Sequence, residues 1–90
     1  MGITIELFSS PGCSRCGKAR HALRKFSGEL GGSRISWRDV NVIEELDYAV
    51  SLGVLATPSI AIDGELIYTA LPSLRKLRAE LEQRLAVNGE

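Results

Sequence analysis

Residues 8–23 read FSSPGCSRCGKARHAL and hold both cysteines of the chain, Cys13 and Cys16, three positions apart. A strand pattern precedes them: Ile3, Ile5 and Leu7 alternate with Thr4 and Glu6, and Phe8 extends the apolar run. A helix pattern follows, with Ala19, Ala22, Leu23 and Phe26 at i, i+3, i+4 and i+7. The Ser-Ser-Pro-Gly between them is a turn. The cysteine pair therefore sits at a strand-to-helix junction. The helix is expected to begin near Cys13 and to fade at SGELGGS, residues 27–33.

Further along, Ile35, Trp37, Val40 and Val42 in ISWRDVNV predict a second strand over 35–42. In IEELDYAVSLG (43–53), Leu46, Ala49 and Val50 fall at helical spacing, and Gly53 is a C-terminal stop. TPSIAI (57–62) is a short apolar strand, Asp63-Gly64 a hairpin turn, and ELIY (65–68) the returning strand. Pro72 opens a last helix whose apolar stripe is Leu74, Leu77, Leu81 and Leu85. A right-handed βαβ crossover makes the first two strands parallel, and the hairpin adds antiparallel ones. The prediction is an α/β domain over 1–90 in the order β-α-β-α-β-β-α, a four-stranded mixed sheet with helices on both faces. Phe8, Phe26, Trp37 and Tyr48 are expected to pack the core. Asp39, Glu44, Glu45 and Asp47 read as the solvated start of the second helix.

Composition narrows the function. Eleven basic and eleven acidic residues cancel, so no global charge draws the chain to nucleic acid or to an anionic membrane. The opening MGITIELFSS lacks the basic region, apolar run and cleavage site of a signal peptide. The longest charge-free stretch, Tyr48 to Ile62, is too short to span a bilayer and is interrupted by Gly53 and Pro58. A soluble, cytoplasmic protein is expected, and in that compartment a close cysteine pair points to chemistry or metal rather than to a structural staple.

A thiol at a helix start faces unpaired N–H groups that stabilise its thiolate. Arg15 and Lys18 add positive charge close by, whereas Arg20, Arg24 and Lys25 read as a solvated face. A structural zinc site needs four ligands, and the chain offers two cysteines and His21. His21 stands roughly 12 Å along a continuous helix from Cys13, too far to share one ion. A metal or cluster bridging two chains, or a pair of inert buried thiols, stays open at this point. A Pro-Gly turn and a basic helix start are poor surroundings for a core, and they favour a redox couple.

Two stretches together carry a resemblance to a known family. FSSPGCSRCGKARHAL after a strand, with GVLATPSIAIDGELI (53–67) some forty residues later, resembles the thioredoxin superfamily, in its small, glutaredoxin-sized form. The likeness runs from Ile3 to about Leu85. It implies the thioredoxin-like three-layer fold, with Cys13 as exposed nucleophile and Cys16 as buried resolving thiol. It further implies that Pro58 is a cis proline facing the cysteines and that Thr57 offers its backbone to an extended substrate. Gly12 and Arg15, flanking the nucleophile, join Thr57 and Pro58 as candidate substrate-binding residues.

The implied activity is reduction of protein disulfides by a dithiol cycle without cofactor. Its partners are the protein substrates and an upstream reductase, and the chain acts as a monomer. The competing readings are a metal or iron–sulfur carrier dimerising through the same cysteines, and an adaptor whose cysteines are idle. The chain departs from the family pattern at Ser14-Arg15 between the cysteines and at Gly12 where thioredoxin has tryptophan. It also has Leu7 where thioredoxin has a buried aspartate, and YTALPS (68–73) where glutaredoxins bind glutathione.

Overall fold

The computed structural model describes residues 2–89; the ends of the expected 1–90 unit, Met1 and Glu90, lie outside the described residues. Strand β1 (Ile3–Ser9) leads through a turn to helix α1 (Cys16–Phe26), and β2 spans Ile35–Asn41. Helix α2 (Leu46–Leu52), the hairpin β3 (Ser59–Ile62) and β4 (Glu65–Tyr68), and helix α3 (Leu74–Gly89) complete the chain. The sheet order is β2-β1-β3-β4, with β1 parallel to β2 and antiparallel to β3, and β3 antiparallel to β4. It is the mixed α/β sheet the sequence predicts.

Period-two alternation sorts the strand side chains into two cores. Ile3, Ile5 and Leu7 of β1, with Ile60 and Ile62 of β3, meet Ala19, Leu23 and Phe26 of α1 and Leu77, Leu81 and Leu85 of α3. On the other face Phe8, Val40 and Ala61 meet Ala49 of α2 and Val54. Phe8 and Phe26 are buried, while Trp37 and Tyr48 are partly buried at the rims of these cores. The hairpin turn is Asp63-Gly64, both at positive φ (52° and 83°), the conformation a two-residue loop needs to match the twist of its strands. Asp63 also fastens the turn to the sheet: its N–H donates to the Thr4 carbonyl at 2.8 Å, and its carboxylate accepts from the Thr4 N–H at 2.9 Å.

Four expectations are revised. Helix α1 starts at Cys16 rather than near Cys13, because Pro11 and Gly12 (φ +81°) turn the chain first. The glycine-rich 27–33 segment is not an open connector; it coils through a π turn (Ser27–Gly31) that carries Leu30 onto the core. Only Ala49 of the α2 stripe is buried, while Leu46 and Val50 face solvent. Leu74 stands 41% exposed, since Ser73 caps the last helix with its hydroxyl and the stripe meets the sheet only from Leu77 onward. Among the described residues no helix is long and apolar enough to cross a membrane.

Candidate functional site

Everything at the cysteine junction follows from how β1 ends. Pro11 and Gly12 reverse the chain past the sheet edge, and the Cys13 N–H returns to the Ser10 carbonyl at 3.2 Å. The Cys13 carbonyl then accepts the Cys16 N–H at 3.4 Å, so the two cysteines close a single turn ahead of α1. Their Cα atoms stand 5.5 Å apart and their sulfurs are bonded to each other, within the span a disulfide requires. Cys16, on the inward face of α1, is only 2% exposed, whereas Cys13 is half-buried at the surface. The pair is therefore asymmetric: one sulfur opens to solvent and one is sealed beneath the helix.

An open cleft of about 340 Å³ lies in front of Cys13, lined by Ser10, Pro11, Gly12, Ser14, Arg15 and Thr57 as well. Thr57 comes from the loop before β3, on the opposite side of the cleft. Its hydroxyl hydrogen-bonds that of Ser10 at 2.8 Å. The Thr57–Pro58 peptide bond is cis, and the loop is closed by Ser59, which donates its hydroxyl to the Ala56 carbonyl at 2.6 Å. Pro58 itself is buried, so the surface offered to an incoming chain here is that of Thr57. Gly12 and Arg15 are exposed, and Arg15 occupies the cap position of α1 without making a capping bond. Of the six residues singled out in the sequence, Gly12, Cys13, Arg15 and Thr57 line one cleft, while Cys16 and Pro58 are buried and do not line it.

The electrostatics favour a thiolate. The first turn of α1 contains no acid, and its amide ends point toward the cysteine turn. Two polar assemblies were not legible beforehand. Asp39 belongs to β2, not to the start of α2; it accepts from the Ser9 hydroxyl at 2.6 Å and from Arg20 Nε at 2.5 Å. This bond ties α1, one turn beyond Cys16, to the second strand. Arg20 is thus paired and not part of a freely solvated face. In the second assembly Glu6, 6% exposed, accepts the Tyr48 hydroxyl at 2.5 Å and Arg38 Nη2 at 2.9 Å. Arg38 also reaches Glu45 at 3.3 Å. The bond to Glu6, with burial adding to it, raises the Tyr48 phenol above its usual range. Leu7, at the place of the family's buried acid, is fully buried among aliphatic side chains. Among the described residues no three His, Cys, Asp or Glu side chains converge as metal ligands.

Comparison with known proteins agrees with this geometry. Residues 1–82 match the family model described as thioredoxin domain. A thioredoxin of Methanocaldococcus jannaschii is 29% identical over 83 residues, covering 92% of this chain and 96% of that protein. A probable thioredoxin of Methanothermobacter thermautotrophicus is 30% identical over 77 residues, covering 86% of this chain and 89% of its own. Among solved structures, thioredoxin 1 from Thermosipho africanus superposes with a TM-score of 0.79 at 20% identity, covering 97% of this chain and 99% of that one. At that identity the superposition speaks for the fold alone.

Proposed function

Because the chain belongs to the thioredoxin family and is a thiol–disulfide oxidoreductase that reduces protein disulfides, we propose the following roles for its residues. Cys13 attacks and Cys16 resolves. The observation that carries this assignment is the asymmetry of the pair: Cys13 opens on the cleft, and Cys16 lies sealed under α1.

In the reduced protein the Cys13 thiolate attacks one sulfur of a substrate disulfide. The substrate S–S bond breaks, its second sulfur leaves as a thiolate that takes a proton from solvent, and a mixed disulfide forms at Cys13. Cys16 then gives up its proton and attacks the Cys13 sulfur. The mixed disulfide breaks, the substrate leaves with its second thiol, and two electrons have passed to it. The product is the Cys13–Cys16 bond seen in the structure. An upstream dithiol reductase restores the pair. The amide ends of α1 and the Arg15 charge stabilise the attacking Cys13 thiolate. Gly12 and Thr57 present backbone to an extended substrate strand, and the buried Pro58 holds Thr57 in place. The protein works as a cytoplasmic monomer.

The test is a pair of single substitutions challenged with a disulfide-bonded protein. Cys13→Ser should abolish turnover and trap nothing. Cys16→Ser should accumulate a mixed disulfide at Cys13, visible by mass as a reductant-sensitive adduct. An adduct at Cys16 in the Cys13→Ser protein would reverse the roles.

A further inference from the structure

The Cys13 cleft continues into two other depressions of opposite character. On one side it shares Ser10 and Thr57 with an apolar groove whose walls include Leu46, Val54 and Leu55. Leu55 is 96% exposed and Leu46 56%, and Ile43 and Val50 on the same flank also stand in solvent. On the other side the cleft shares Ser14 and Arg15 with a pocket completed by Lys18, Leu71, Pro72, Ser73 and Leu74. No Asp or Glu lines the cleft or this pocket. Among the described residues neither Arg15 nor Lys18 has a carboxylate within ion-pair distance. The reacting sulfur thus sits between a bare aliphatic surface and two unneutralised cations.

We propose that the substrates this chain prefers are proteins whose reacting cysteine lies in an extended segment with a bulky aliphatic side chain on one flank and a carboxylate on the other. The inference rests on the assignment of Cys13 as the attacking thiol. An extended segment that runs across that sulfur from Thr57 toward Arg15 reaches both depressions, because each shares wall residues with the cleft itself. The aliphatic side chain covers Leu46 and Leu55, and burial of apolar surface drives that contact. The carboxylate meets Arg15 and Lys18 and the hydroxyl of Ser73, a donor set that favours an anion and disfavours a basic residue. Both flanks act on the encounter and the mixed-disulfide state; Arg15 also stabilises the Cys13 thiolate, an effect common to every substrate and removed by normalising to the small neutral disulfide.

Synthetic disulfide-linked peptides test this with the full chain. One carries Leu and Glu on either side of the cysteine, in both orders; in others Lys replaces Glu or Ser replaces Leu. Rates are normalised to a small neutral disulfide, which reports the Cys13 chemistry alone. One order of the Leu/Glu peptide should react fastest, and kcat/KM should fall about fivefold for Lys in place of Glu. It should fall roughly tenfold for Ser in place of Leu. The charge preference should shrink with added salt. In the Arg15→Glu/Lys18→Glu double variant the Lys peptide should become the better substrate, and Leu55→Ser should erase the preference for Leu. Equal kcat/KM across the peptides, or a preference the charge-reversed variant leaves untouched, overturns the proposal. So does a concentration-dependent dimer abolished by Leu55→Ser, which would assign the groove to a second copy. Undiminished reaction of the Cys13→Ser protein with the small disulfide would instead refute the Cys13 assignment.

Discussion

Among the described residues Glu6 is the one buried side chain that carries a charge, and Glu6→Gln tests what that charge does for the fold. The substitution keeps the shape of the side chain and replaces one acceptor oxygen by a donor. Glu6 receives Arg38 on Oε2 and the Tyr48 hydroxyl on Oε1, so the new NH₂ must face one of the two donors. Arg38 is half exposed and can return to water, so its share is small, about 0.5 kcal/mol. The Tyr48 bond is short, charge-assisted and partly buried, worth about 1.5 kcal/mol, so the amide turns its NH₂ to Arg38 and keeps its oxygen on Tyr48, where losing the charge costs about 0.5–1 kcal/mol.

The expected destabilisation is therefore about 1–1.5 kcal/mol, against a total stability on the order of 5–13 kcal/mol for a chain of this size. In thermal unfolding followed by circular dichroism that is a fall in Tm of roughly 5–10 °C. Tyr48→Phe alone should cost about 1.5 kcal/mol, the worth of the bond, since the ring keeps its packing 5.9 Å from Phe8. The double variant should then be less destabilised than the sum by about 1 kcal/mol. Additivity within ~0.3 kcal/mol would show that the two residues do not share a bond, and would refute this account of the α2 face.

The same bond fixes a pH dependence. The Tyr48 phenol is raised above its ordinary 10, first by the bond to Glu6 and then by burial. Its contribution to stability is therefore complete below pH 10 and is lost as pH rises through the raised value. Tyr68 is also raised, by burial first, so phenolate absorbance should show both tyrosines ionising above their ordinary range. In Glu6→Gln one of the two should move back toward 10. Leu77→Ala should lose about 3 kcal/mol in denaturant unfolding, whereas Leu74→Ala, at an exposed position, should lose less than about 1 kcal/mol. Equal losses would place Leu74 in the core after all. Gly53→Ala should cost about 1–2 kcal/mol, because Gly53 ends α2 at φ +91°, where a Cβ is strained. An unchanged midpoint would mean the helix ends otherwise.

Periodicity is a local property of the chain, and where the face it defined met the sheet the sequence determined which side chains pack. The alternation of Ile3, Ile5 and Leu7 set the face of β1, and the spacing of Ala19, Leu23 and Phe26 set the buried side of α1. The same holds for Asp63-Gly64, whose turn chemistry fixes the hairpin, and for the order of elements that yields a mixed sheet. Nearness in sequence also placed Cys13 and Cys16 together.

The tertiary structure decided what depends on partners distant along the chain. Asp39 reads the same whether it is solvated or bonded to Arg20 and Ser9; the β1–β2 pairing brings Ser9 to it, and the placement of α1 beside the sheet brings Arg20. Glu6 looks like an outward strand residue until α2 lays Tyr48 over it. Leu46 and Val50 have core spacing, but α2 is seven residues long and buries only Ala49, so they remain on the surface. Burial is decided by what packs against a residue, and the residue's own type cannot specify that. For the same reason Thr57, more than forty residues from Cys13, became part of the site only when β3 paired with β1 and set its loop across the cleft.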